Sequence, residues 1–109
     1  MSRELPAPIA AYIAGSNAHD PGACAACFTD DAVVQDEGRD RRGNAAIRAW
    51  MEEVSAKYRP TVDVIDIAET DDKAIVTARV SGDFPGSPVE LRYTFTLAGA
   101  KIARLEIRP

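Results

Sequence analysis

Residues 12–38 read YIAGSNAHDPGACAACFTDDAVVQDEG, and the fold turns on how this stretch divides. Ile9, Tyr12, Ile13 and Ser16 recur at helical spacing, which predicts a first helix from about Ala7 to Ala18 with Tyr12 in its buried stripe. Asp20 is a good N-cap with Pro21 at the first helical position, so a second, short helix is predicted from about Pro21 to Phe28. Residues 32–38, AVVQDEG, then alternate as a strand. Alternate strand residues share a face, so Val34 and Asp36 point one way and Val33, Gln35 and Glu37 the other. An acid therefore stands on the same side as a valine, where the strand runs out.

Beyond this stretch, EGRDRRGN reads as a polar loop punctuated by Gly38 and Gly43, with Asn44 able to cap a helix. The segment AAIRAWMEEVSAKY places Ile47, Trp50, Met51, Val54 and Tyr58 on one side of that third helix, which Pro60 stops. After Pro60 the hydrophobic period changes to two. TVDVIDIAE, AIVTARVSGD, VELRYTFTLA and KIARLEIRP all read as strands, with the loop GDFPGSP carrying Phe84 at its tip. In the VELRYTFTLA strand, Leu91, Tyr93, Phe95 and Leu97 alternate against Glu90, Arg92, Thr94 and Thr96. Three helices followed by a mostly antiparallel sheet make an α+β domain, with the helices covering one face of a strongly curved sheet. The gap between them is the place for a small-molecule pocket, with Tyr12, Phe28, Trp50, Tyr93 and Phe95 set to line it.

Composition narrows the function classes. At 109 residues and 46% hydrophobic, the chain forms a single domain over residues 1–109. Seventeen acids against 13 bases give a net charge of -4, which argues against a nucleic-acid partner. No stretch approaches the roughly 20 apolar residues of a membrane span, and MSRELPAPIAAYIAG does not read as a signal peptide. A cytoplasmic protein is the expectation. Cys24 and Cys27 form a C-x-x-C, but zinc would need two more ligands, and one histidine, His19, is all the chain adds of that kind. Cys24, Cys27 and Phe28 instead make an apolar stripe, so no metal is expected. His19 reads as a solvated turn residue, and Arg39, Arg41, Arg42 and Arg48 as a solvated charged cluster interleaved with Glu37 and Asp40.

The run YIAGSNAHDPGACAACFTDDAVVQDEG followed by GNAAIRAW resembles the ketosteroid isomerase and SnoaL-like polyketide cyclase branch of the nuclear transport factor 2 superfamily. The resemblance covers nearly the whole chain, and it implies a cone-shaped, cystatin-like α+β domain that forms a homodimer through its sheet. It also implies two site residues. Tyr12 matches the tyrosine that donates a hydrogen bond to the substrate oxygen, and Asp36 matches the aspartate that moves the proton, a pairing that is ketosteroid isomerase's own. The implied chemistry needs no cofactor: an isomerisation or cyclisation that moves a proton alpha to a carbonyl of a small apolar ligand. The sequence departs from the isomerases in carrying Arg92 and Tyr93 where a second, protonated aspartate would stand, Glu37 in place of a proline, and Met51 in place of a tyrosine. Alternation favours Tyr93 over Arg92 as the inward residue.

Other readings stand beside this one. Asp36 also fits a polar residue that orients a ligand or a solvated strand-end acid, and Tyr12 fits a core aromatic. The corresponding functions are ligand binding without chemistry and a structural dimerisation module.

Overall fold

The computed structural model describes residues 5–109. Three helices come first, with one hairpin among them: α1 (Ala7–Asn17), α2 (Pro21–Ala25), β1 (Phe28–Asp36), β2 (Arg39–Arg42) and α3 (Asn44–Tyr58). Four strands come next: β3 (Thr61–Thr70), β4 (Lys73–Ser81), β5 (Val89–Ala98) and β6 (Lys101–Arg108). They join β1 and β2 in one six-stranded curved sheet of order β2-β1-β6-β5-β4-β3. Only the β1–β6 pair is parallel, and the other four are antiparallel.

Local chemistry explains where most elements begin and end. The Asp20 carboxylate accepts from the Ala23 N–H at 3.1 Å, capping α2 behind Pro21. Arg59 adopts a left-handed conformation (φ 47°) at the end of α3, and Pro60 prevents a further turn. Gly15 lets α1 and α2 approach closely, because a Cβ there would stand 3.1 Å from the Cys24 sulfur. The Asn17 side chain both donates to the Val62 carbonyl (3.0 Å) and accepts from its N–H (2.7 Å), tying the end of α1 to the start of β3.

Three boundaries differ from the sequence reading. α2 stops at Ala25 rather than Phe28, since Phe28 pairs with Ile102 as the first residue of β1, and the Ile102 N–H bonds the Cys27 carbonyl at 2.8 Å. EGRDRRGN is not a loop. Glu37 and Gly38, both at positive φ (53° and 74°), form a two-residue hairpin turn, and RDRR returns as the edge strand β2. Gly43, not Asn44, caps α3, and the Asn44 amide instead donates to the Ala25 carbonyl at 2.7 Å, joining α3 to α2.

Helices and sheet enclose one core, in which Ile9, Phe28, Val34, Ile47, Phe95 and Leu105 are among the fully buried side chains. Each contributes roughly 1.5–3 kcal/mol by leaving water. Among the described residues no helix is long and apolar enough to cross a membrane.

Candidate functional site

The core is not filled to its end. A cavity of about 760 Å³ opens between α1, α3 and the sheet. Tyr12 and Ser16 of α1 reach it from one side, Trp50, Met51 and Tyr58 of α3 from another, and Tyr93 of β5 lies on the sheet wall. Glu37 and Gly38 of the β1–β2 turn, Phe84 and Pro85 of the β4–β5 loop, and the chain end at Pro109 also border it. The loop is held over α3 by a bond from the Asp83 N–H to the Tyr58 carbonyl (2.7 Å) and by an edge-to-face contact of Phe84 on Tyr58 (5.8 Å, 86°).

Asp36 is the last residue of β1, on the same side as fully buried Val34, and its carboxylate borders the cavity. Burial raises its pKa above the usual carboxylate value, and the neighbouring Glu37 carboxylate adds to the rise. The Trp50 indole N–H, the Arg41 guanidinium and the Glu37 backbone N–H pull the other way by favouring the anion. The Asp36 carboxylate therefore has a heightened affinity for a proton while retaining partners that hold its ionised form in place.

Tyr12 and Tyr93 are both almost fully buried, at 2% and 5% exposure. Among the described residues the Tyr12 hydroxyl donates only to the Met51 thioether, at 3.9 Å, and a thioether is a weak acceptor. Among the described residues the Tyr93 hydroxyl makes no hydrogen bond, and since no buried side-chain nitrogen or oxygen there is left without a partner, that hydroxyl is open to the cavity. Burial pushes both phenols up, and each is further raised by the Asp36 carboxylate, so both remain neutral donors at ordinary pH. The cavity thus holds an acid of raised pKa and two phenols short of an acceptor.

Four of the six residues singled out from sequence meet here: Asp36, Tyr12, Tyr93 and Trp50. Tyr93 faces inward and Arg92 outward, as alternation requires. Phe28 and Phe95 do not line the cavity. They lie in the core behind Tyr12, each with its ring centroid 5.7 Å away and edge to face, because a face pattern does not reveal depth. Sequence reasoning did not single out Ser16, Tyr58 or Glu37 as cavity residues. Their signals were present: Ser16 and Tyr58 sit in the apolar stripes, and Glu37-Gly38 is a two-residue turn between strands.

The cysteines pack as hydrophobes. Cys24 is free and buried, its thiol directed to the Tyr12 carbonyl at 3.6 Å and its pKa pushed up to about 12, chiefly by burial. Among the described residues, no three His, Cys, Asp or Glu side chains stand together as a metal site. Of the surface arginines, Arg41 and Arg48 form long ion pairs with Glu53 and Glu52, both at 3.9 Å.

The SnoaL-like domain family model matches residues 9–105. A proposed polyketide cyclase from Sinorhizobium meliloti is 39% identical, with 95% of each chain covered and a TM-score of 0.92. A cystatin-fold protein from Novosphingobium aromaticivorans is 20% identical (94% of this chain, 95% of that one, TM-score 0.79). A protein of ketosteroid isomerase-like fold from Catenulispora acidiphila, in complex with trimethylamine, is 18% identical (97% and 87%, TM-score 0.87). These last two likenesses bear on the fold alone. No curated protein matches the chain.

Proposed function

The chain belongs to the SnoaL-like domain family, and on that premise we propose that it moves a proton alpha to the carbonyl of a small, largely apolar ligand, as an isomerase or cyclase does. Asp36 is the base and Tyr12 the donor to the carbonyl oxygen. The Asp36 carboxylate takes the proton from the α-carbon, the C–H electron pair forms the enolate, and the negative charge reaches the oxygen beside the Tyr12 hydroxyl. Protonated Asp36 then returns the proton to the same or a conjugated carbon, so the cycle closes without a co-reactant. Trp50 holds the carboxylate, and the apolar walls exclude water.

One observation carries this reading: a carboxylate of raised proton affinity shares a cavity with a buried phenol whose only partner among the described residues is a thioether. The similarity to the Sinorhizobium meliloti protein, itself a proposed polyketide cyclase, is in keeping with that chemistry. A second reading, ligand binding without chemistry, needs only the cavity and its largely apolar walls.

Hydrogen–deuterium exchange at the α-carbons of cyclic and steroidal ketones separates the two. The proton-transfer reading expects exchange above buffer that falls about 10²- to 10⁴-fold in Asp36→Asn. Ketones that bind yet exchange no faster than in buffer would favour the binding reading.

A further inference from the structure

The sheet wall of the cavity has two ends of different character. Asp36, Ile107 and Tyr93 pair across β1, β6 and β5, and four residues earlier on β5 Val89 pairs with Val80 of β4, which pairs with Val62 of β3. All six border the cavity. Four residues of strand set the second row about 13 Å from the first. One row therefore carries the acid and a phenol, and the other is aliphatic. The Asn17 side chain, bonded to both the N–H and the carbonyl of Val62, brings the end of α1 to the valine row. Ser16 is its chain neighbour, one helical turn beyond Tyr12.

We propose that Ser16 is a specificity-determining residue, whose hydroxyl bonds an uncharged oxygen of the ligand at the end remote from the carbonyl that Tyr12 holds. The inference rests on the proton-transfer reading for the place of that carbonyl, and adds to it a second polar point on the substrate.

Tyrosine and cysteine aside, Ser16 is the only buried polar residue among those described, at 6% exposure, and it borders the cavity. Its hydroxyl makes no hydrogen bond among the described residues, and since no buried side-chain nitrogen or oxygen there is left without a partner, it is open to the cavity. The acceptor that a helical serine commonly uses, the carbonyl four residues back, here receives the Cys24 thiol at 3.6 Å. The fold thus makes no use of this hydroxyl, at a stripe position where alanine would suit the helix better. A hydroxyl both donates and accepts, so it suits an alcohol or a carbonyl, whereas a charged group beside the valine row would lose water without a counter-ion. One turn of α1 and four residues of β5 put the contact about 6 to 13 Å from the Tyr12 end, a span that calls for a body of two or more fused rings. A volume of about 760 Å³ accommodates one. A body held at both ends presents one chosen α-carbon to Asp36.

A matched pair of bicyclic ketones, 6-hydroxy-2-tetralone and 6-methyl-2-tetralone, isolates the contact, because the two differ only in the remote group. Calorimetric titration of wild type, Ser16→Ala and Tyr58→Phe gives the ratio of their affinities in each protein, and a change of pocket shape common to both ketones cancels from that ratio. The proposal expects the preference for the hydroxyl ketone to fall about 3- to 10-fold in Ser16→Ala, the range for one uncharged hydrogen bond, and to hold in Tyr58→Phe.

A ratio in Ser16→Ala within twofold of wild type, or failure of the hydroxyl ketone to bind wild type, overturns the proposal. So does a ratio that falls in Tyr58→Phe and not in Ser16→Ala, which would give the contact to the other hydroxyl on the cavity wall. Deuterium exchange at the α-carbons of the same two ketones keeps the two readings apart. A Ser16-dependent ratio without exchange above buffer would sink proton transfer and leave Ser16 as a binding determinant, and exchange with a ratio indifferent to Ser16 would do the reverse.

Discussion

Phe95→Leu tests whether a buried ring positions Tyr12 at the cavity. In the structure Phe95 makes two ring contacts, with Tyr12 and with Tyr93, and has no exposed surface. Such pairs are worth about 0.5–1.5 kcal/mol each beyond area burial, so losing both costs about 1–3 kcal/mol. The smaller side chain leaves part of its volume unfilled, adding about 1 kcal/mol, well short of the full Phe→Ala loss. A total of about 2–4 kcal/mol corresponds to a fall in Tm of roughly 8–16 °C for a domain of this size. That leaves the variant folded at 25 °C on an ordinary stability margin.

The informative quantity is the rate of ketone α-proton exchange at 25 °C, with folding checked by circular dichroism. A Tyr12 phenol that has lost this support points less well at the carbonyl oxygen, so exchange slows about 10-fold or more. Phe28→Leu is the comparison, because among the described residues Phe28 makes one ring contact, with Tyr12 (5.7 Å, 87°), where Phe95 makes two. It should lower Tm by a smaller amount and slow exchange by a similar factor. If Phe95→Leu melts early yet exchanges ketone protons as fast as wild type, the argument that this ring positions Tyr12 fails.

The charges and the turn give two further expected outcomes. The folded state raises the Asp36 pKa above 3.8, so the stability tied to its protonation is present in full below that pH and is lost as pH rises through the folded value. Asp36→Asn should therefore melt a few degrees above wild type at pH 7, with the gap closing toward pH 4. Scanning calorimetry from pH 4 to 8 measures this, and a gap that widens in acid would contradict the sign. Glu37 holds φ 53° in a turn position that favours asparagine, so Glu37→Asn should stabilise the domain by about 1 kcal/mol, read as a higher denaturation midpoint in urea.

The parts of the site that were legible in the sequence are those whose position is fixed by period. Tyr12 and Trp50 follow from helical stripes, and Asp36 and Tyr93 from alternation, which chose Tyr93 over Arg92 because a slip of one residue turns every side chain over. The parts that were not legible depend on pairing across long stretches of chain. RDRR carries no apolar alternation, and it is a strand because the Glu37-Gly38 turn lays it along β1 in the register Asp36–Arg39 to Val33–Arg42. Phe28 reads as the end of a helical stripe until Ile102, 74 residues later, pairs with it. Phe28 and Phe95 share a face with the site, but whether such a residue reaches the cavity or lies behind another ring depends on packing in depth.

The acid beside the valine is explained by where β1 crosses from core to cavity. Val34 is fully buried, Asp36 borders the cavity, and Glu37 is exposed at its rim. Placed where Val34 stands, a carboxylate would lie in fully buried core outside the cavity lining, where no ligand reaches it. Placed in the turn, it would be solvated and no better a base than acetate. At position 36 it loses enough water for its pKa to rise, yet it keeps the Trp50 indole and the Arg41 charge as partners for the anion. A base for an α-proton needs both conditions at once. The last residue of a strand that ends at a cavity meets them, because it is held by Ile107 of β6 and Arg39 of β2 on either side while its carboxylate faces open space.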